Sequence, residues 1–283
     1  MNNDKKRLSD FALNIYSQFG EDGIVENIFN IIGTTTKVCV EFGAWDGFHL
    51  SNTANLWVNH GWSGILIECD TTRFEQLKIN ASKYKSVCIN AMVGSDDEDS
   101  LEAILTREKI FESIDFLSID VDGDDYHIFE SLRKIRPRVI ACEYNPTIPS
   151  HLALVPRKHN YFGCSSLSLV RLALSKGYDL VAITETNCFF VLREEISKFK
   201  NFELEYAKLT TNRHITYVLS GYSGDYVFSR EPTYGLKQPL QQEFIIGDTF
   251  VPIPPRKSLT EYLKRMLPQK HLLFLKKYKN WRP

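Results

Sequence analysis

The segment "SIDVDGDDYH" places Asp120, Asp122, Asp124 and Asp125 within six positions and ends on His127. Carboxylates packed that closely repel one another unless a cation or solvent relieves them. Further on, "CEYNP" supplies Glu143 and Asn145. Asp120, Asp122, Glu143 and Asn145 are oxygen donors of the kind that hold Mg2+ or Ca2+, and a metal there would lower the pKa of an acceptor hydroxyl. Without a metal, the cluster orients a polyol, and Asp122 or His127 is the candidate general base. The competing structural account makes Asp124 or Asp125 a helix cap or first-turn acid and His127 a partly exposed helix residue.

A second constellation is "VCVEFGAWDGFHLSNT", residues 38–53. Gly43 and Gly47 would let backbone approach a ligand, while Ser51, Asn52 and Thr53 would present donors at a helix N-terminus, suited to a carboxylate or a phosphate. The loop E-F-G-A-W-D-G is not the G-x-G-x-x-G of dinucleotide sites. Its acid, Glu41, would repel a pyrophosphate and favour the sulfonium and amino groups of S-adenosylmethionine. Glu68, ending the next apolar run in "GILIECD", can accept bonds from both ribose hydroxyls. The alternative is a glycine turn followed by a helix cap.

These residues need strands to carry them. Short apolar runs predict strands over 37–41, 64–68, 86–90, 115–120, 138–143, 178–184 and 188–193. Helix-like segments lie between them at about 50–60, 71–81, 100–106, 124–134 and 165–176, each opening near a Ser, Thr or Asp. That alternation implies a doubly wound α/β sheet of five parallel strands. Only "ETN" joins the last two strands, too little for a crossover, so a terminal hairpin with one antiparallel strand is expected. This is the pattern of a class I methyltransferase (Rossmann-like) sheet. Ahead of it, "YSQFGEDG" leads into a helix over about 21–32 ended by Gly33. The expected organisation is an N-terminal helical lid segment over 1–36, a cofactor-binding domain over 37–193, an accessory region with a Pro-rich linker over 194–255, and a basic amphipathic tail over 256–283.

The series "SQFGEDG", "VEFGAWDG", "GILIECD", "INAMVGS", "DFLSIDVDGDDY" and "VIACEYNP" resembles the FkbM-type family of S-adenosylmethionine-dependent methyltransferases over roughly residues 15–193. The resemblance implies that Glu41, Phe42, Gly43 and Ala44 cradle the methionine part, with Ser51, Asn52 and Asp120 nearby. Glu68 takes the ribose with Cys69 beside it, Asn90 and Ala91 lie near the adenine, and Gln18 belongs to a lid over the cofactor mouth with Glu21 and Asp22. It also implies methylation of a hydroxyl on a sugar or glycan: a surface polysaccharide, a glycolipid or a nucleotide-linked precursor. The acidic rim is similar to that of metal-dependent O-methyltransferases, which implies Mg2+ on Asp120, Asp122, Glu143 and Asn145. The family commonly has Lys-x-Asp-x-Glu-Gly where this chain has Ser118-Ile119-Asp120-Val121-Asp122-Gly123.

Two rivals stand beside this reading: a non-catalytic cofactor- or glycan-binding module of the same fold, and a dinucleotide-dependent sugar-modifying enzyme. In "PSHLALVPRKHNYFGCSS", His151, Arg157, Lys158, His159 and Tyr161 could meet an anionic or glycosylated acceptor, or form a solvated loop. The six cysteines have no metal-knuckle spacing and read as reduced, with Cys39, Cys69, Cys88 and Cys142 in or beside buried strands.

The net charge of −1 conceals +8 over residues 256–283 and −9 over the rest. An acidic body argues against nucleic acid as a partner. No long apolar run or signal-like N-terminus is present, so a cytoplasmic location is expected. In the tail, Leu259, Tyr262, Leu263, Met266 and Leu267 share a helical face, with Lys264 and Arg265 turned away. That pattern suits either packing on the body or peripheral contact with an anionic membrane face.

Overall fold

The computed structural model describes residues 5–224 and 226–234, together with the backbone of two short strands, Phe244–Ile246 and Thr249–Val251. The basic tail over 256–283 lies outside the described residues. The chain forms two compact units, residues 1–213 and 214–283. The first takes in residues 194–213, because Phe199 is fully buried in its core. In the second, Val218–Ser220 pairs antiparallel with Tyr226–Phe228, and Phe244–Ile246 with Thr249–Val251.

The first unit is built on β1 (Val38–Phe42), β2 (Ser63–Glu68), β3 (Ser86–Asn90), β4 (Phe116–Ile119), β5 (Val139–Glu143), β6 (Tyr178–Ile183) and β7 (Asn187–Leu192). Their spatial order is β3-β2-β1-β4-β5-β7-β6. The first five run parallel, and β7 pairs antiparallel with both β5 and β6. This is the class I methyltransferase sheet expected from the sequence. Strand order reverses between β1 and β4, the place in an open parallel sheet where ligands collect.

Helices cover both faces, which is why the central strands read as continuous apolar runs. On one face Val38, Val40 and Phe42 pack with α4 (Leu101–Arg107), α5 (Asp125–Ser131) and α6 (Ser166–Ser175). On the other, Cys39, Leu66 and Phe116 meet α1 (Glu21–Ile32), α2 (Ala54–Asn59) and α3 (Thr71–Ala81). The helix over 71–81 and the strand over 86–90 match the sequence expectation at both ends. Asp70, Ser100 and Ser165 cap α3, α4 and α6 by accepting from Arg73, Ala103 and Ser168 amides. Helix α2 is shorter than expected because residues 50–53 form a turn instead. Cys39, Cys142, Cys164 and Cys188 are buried, but Cys69 is exposed, since it lies just beyond β2.

Three loops are tied by single carboxylates that each collect three consecutive backbone amides. Asp22 accepts from Ile15, Tyr16 and Ser17 at 2.8, 2.7 and 2.8 Å. Asp115 accepts from Thr35, Thr36 and Lys37 at 2.8, 2.9 and 2.8 Å. Glu102 does the same for Arg133, Lys134 and Ile135. Burial pushes the Glu102 carboxyl up, but those amides outweigh it and hold the group below its ordinary value. Asp115, 1 % exposed, also takes an ion pair from Arg138 at 3.1 Å, and Arg138 reaches Glu195 at 2.7 Å. Asp115→Ala would strand the three amides, while Arg138 keeps Glu195 and the Ile32 and Gly33 carbonyls. Urea unfolding is expected to show a loss of about 3 kcal/mol or more from three unpaired amides, and a loss below about 1 kcal/mol would contradict this account of the loop.

Candidate functional site

At the switch point β1 gives way to a tight loop. Gly43 has φ +70°, and a Cβ there would stand 2.7 Å from the Asp120 carbonyl oxygen. The β1 and β4 exits touch only because this residue has no side chain. The Ala44 amide donates to the Ile67 carbonyl at 3.1 Å, and the Trp45 amide to Glu68 Oε2 at 2.8 Å. The Arg73 guanidinium lies 3.5 Å from the Trp45 ring centroid, so loop and α3 hold each other.

Glu41, the penultimate residue of β1, does more structural work than expected. Glu41 is buried and accepts from Ser51 Oγ at 2.5 Å, Thr53 Oγ1 at 2.8 Å and the Asn52 amide at 2.8 Å. The donors of Ser51, Asn52 and Thr53 therefore serve an internal carboxylate, where the sequence suggested a bound anion. Burial raises the Glu41 pKa against the pull of those bonds. The Asn52 side-chain amide donates to Ser118 Oγ at 3.1 Å, tying the loop after β1 to strand β4. Glu68 holds the Trp45 amide and, through Oε1, the Asp70 amide at 2.8 Å.

These residues enclose a cavity of about 450 Å³. Gln18, Glu41, Phe42, Gly43 and Ala44 line it, as do Ser51, Asn52, Glu68, Cys69 and Ala91. Asn90 is not on its wall: its side-chain amide donates to the Glu68 and Cys69 carbonyls at 2.7 and 3.3 Å, fixing the end of β2. Beyond β3 the wall is lined instead by Ala91, Met92 and Val93. Of the expected lid residues, Gln18 and Glu21 reach the wall, while Asp22 is occupied with its three amides.

The acidic rim is only partly as expected. Strand β4 stops at Ile119, so Asp120 and Asp122 are not related by strand alternation. Asp122 has φ +57°, and that turn brings ligand oxygens of Asp120, Asp122 and Glu143 within 4.8 Å of one another. Asn145 does not join them. Its Nδ2 donates to the Phe162 carbonyl at 2.6 Å, and its Oδ1 accepts from the Thr147 amide and hydroxyl at 2.9 and 2.6 Å. His127 is likewise placed elsewhere, with Nε2 2.9 Å from the Pro156 carbonyl and Nδ1 3.8 Å from Glu130, away from the cavity wall. Asp125, the first-turn acid of α5, accepts from the Val121 and Gly123 amides at 2.8 and 2.9 Å. Burial drives its pKa up to about 6, against those bonds.

Asp120 and Glu143 bring carboxyl oxygens within 4.8 Å of each other, and two buried carboxyls so placed favour one shared proton. Burial pushes both above the ordinary carboxylate range; repulsion from Asp125, Asp122 and Glu41 adds to it at Asp120, and repulsion from Asp120, Asp125 and Asp122 adds to it at Glu143.

Two buried wall groups stand unpaired, and sequence reasoning passed over one of them, Asn187. Glu21 Oε1 and Asn187 Oδ1 have no hydrogen-bond partner among the described residues. Leaving such atoms unpaired costs about 1–3 kcal/mol each. The "ETN" that signalled a hairpin also delivered Asn187 to the rim, and the predicted strand began one residue after it. Of His151, Arg157, Lys158, His159 and Tyr161, only Tyr161 reaches the wall. It crosses over Gly123, where a Cβ would stand 2.6 Å from the Asn160 carbonyl oxygen. Lys158 instead bonds Asp96 at 2.7 Å, and His159 lies 3.3 Å from Asp124.

S-adenosylmethionine fits this wall. The unpaired Glu21 oxygen and the carboxyls of Glu41, Glu68, Asp120 and Glu143 favour cationic sulfonium and amino groups. A pyrophosphate would meet those acids with Arg73 and His49 as the basic side chains of the described wall.

Residues 97–163 match the Methyltransferase FkbM domain. No curated protein matches the chain. Among solved structures, the chain is similar to Methyltransferase FkbM from Methylobacillus flagellatus, at 14% identity over 65% of this chain and 56% of that one, with TM-score 0.35. It is also similar to a SAM-dependent methyltransferase from Aquifex aeolicus, at 10% identity over 61% and 88% of the two chains, TM-score 0.36. A third is the glycopeptide N-methyltransferase MtfA complexed with S-adenosylhomocysteine, at 10% identity over 59% and 87%, TM-score 0.38.

The carboxyl pair sets a pH dependence. Because folding raises both groups above their ordinary 3.8 and 4.5, the folded chain holds a proton that the unfolded chain releases. Stability is fully present below those values and falls as pH rises past about 4.5. In chelator-treated, ligand-free protein, Glu143→Gln is expected to flatten that fall and raise the melting temperature near pH 8 by about 4 °C or more. A lower melting temperature in the variant would refute the shared proton.

Proposed function

We propose that this chain, an S-adenosylmethionine-dependent methyltransferase carrying an FkbM domain over residues 97–163, transfers the methyl group to a hydroxyl of a sugar or glycan. The acceptor would be a surface polysaccharide, glycolipid or nucleotide-linked precursor. The observation that supports the reading is the Asp120–Glu143 carboxyl pair on the wall of the cavity that begins at Gly43. A pair that carries one proton can accept a second, from an acceptor hydroxyl. S-adenosylmethionine, when bound, supplies an electrophilic methyl carbon. Gln18, Glu21, Glu41 and Glu68 would hold it, and the Gly43 loop would fix its reach to the rim.

A divalent cation such as Mg2+ is compatible with the same rim through Asp120, Asp122 and Glu143, and its entry would displace the shared proton. Calorimetry with S-adenosylhomocysteine, NAD and a nucleotide sugar in parallel tests the cofactor class. Only S-adenosylhomocysteine is expected to bind, and Glu68→Ala is expected to weaken it by about 1–3 kcal/mol. Binding of NAD alone would end the reading. If a cation takes part, Mg2+ titrated into the loaded protein binds, and Asp122→Asn removes that heat.

The +8 charge of residues 256–283 supports a meeting with lipid-linked glycans at an anionic membrane face. Flotation with anionic vesicles should lose salt-sensitive binding when the chain ends at Pro255. Equal flotation of both proteins would refute the contact.

A further inference from the structure

Asn187 is the polar wall group least explained by the fold. Its side chain is 3 % exposed and lines the cavity. The hairpin does not need its amide oxygen. The Asn187 amide donates to Thr184 Oγ1 at 3.1 Å, its carbonyl accepts from the Thr184 amide at 2.8 Å, and its Nδ2 donates to Thr186 Oγ1 at 3.3 Å. Those contacts fix backbone and amide nitrogen. They leave Oδ1 without a partner among the described residues. Buried amide oxygens in folded proteins are nearly always paired, so a partner that arrives with a ligand accounts for this one.

Strand register says where that partner sits. In the antiparallel pairing of β5 and β7, Glu143 stands opposite Asn187. In the parallel pairing of β4 and β5, Ile119 stands opposite Cys142, and Asp120, the first residue past β4, has a carboxyl oxygen within 4.8 Å of one on Glu143. Three adjacent strands thus deliver Asp120, Glu143 and Asn187 abreast, and all three line one cavity. The groups they present are oxygens. The donor of Asn187 is used by Thr186, and Arg73 is engaged with the Trp45 ring. A phosphate or carboxylate brought to this spot would face acceptors only, whereas a hydroxyl or an amine would supply the missing hydrogen.

We propose that Asn187 is an acceptor-binding residue: its amide oxygen receives an O–H or N–H of the methyl acceptor beside Asp120 and Glu143, and so selects neutral or cationic donors over anionic groups. For a nucleotide-linked or anionic glycan, the phosphate or carboxylate must then lie outside this pole, with a hydroxyl or amine inside it.

The proposal rests on the methyl-transfer reading, and a cofactor analogue tests it without knowledge of the acceptor. Sinefungin carries a C–NH3+ unit where S-adenosylmethionine has its S–CH3+, so its affinity relative to S-adenosylhomocysteine reports on the acceptor pole. Calorimetry on the full chain is expected to show wild type preferring sinefungin by about tenfold or more, the scale of a hydrogen bond to a charged group. Asn187→Leu should cut that preference several-fold with S-adenosylhomocysteine affinity unchanged. Asn187→Asp, which keeps the shape and adds charge, should increase it. An unchanged preference in both variants overturns the proposal alone. Failure of wild type to bind either compound removes the methyl-transfer reading and this inference with it. Should Asn187→Leu not fold, Asn187→Asp decides, and a preference no greater than wild type overturns the proposal.

Discussion

Carboxylates that converge on one poorly solvated cavity must each be neutralised or dispersed, and the first compact unit is arranged around that electrostatic constraint. Glu41 is dispersed over two hydroxyls and an amide, and Glu68 over two amides. Asp120 and Glu143 hold a proton between them. The loops that carry the amides acquire their shapes from these bonds. Binding a cation-bearing cofactor and folding the loop are thus coupled through the same acids.

Arrangement at the rim follows from the sheet. Parallel neighbours β4 and β5 end side by side, and the reversed β7 begins where they end, so side chains far apart in sequence arrive in one row. An all-parallel sheet would place a strand start at the opposite edge. The antiparallel strand is therefore what lets a hairpin residue such as Asn187 stand next to the end of β5.

Much of this was legible in the sequence. The helix over 71–81 announced itself through the Asp70 cap and its periodicity, and the β6–β7 reversal through a connection too short for a crossover. Glu41, Gly43, Glu68 and Asp120 were identifiable because strand ends at a switch point are where ligands bind. Harder to read was the destination of each side chain. Asn90, Asn145 and His127 have the chemistry of site residues, yet backbone carbonyls and amides a few residues away in space claim them. Asp120 and Asp122 converge through a left-handed turn at Asp122, not through strand alternation. No local pattern marks a side chain as spoken for by a distant carbonyl, and none marks Asn187 as unclaimed.

The three-amide carboxylates have a consequence for how this chain tolerates change. At Asp22, Asp115 and Glu102 the donors are main-chain groups of Ile15, Tyr16 and Ser17, of Thr35, Thr36 and Lys37, and of Arg133, Lys134 and Ile135. Any residue but proline brings the same amide. For these bonds, each loop may drift in side-chain identity at three positions while a single acid elsewhere in the chain stays fixed. Sequence divergence among chains of this shape should therefore run high along the loops and low at the three acids, an asymmetry that surface exposure alone would not produce.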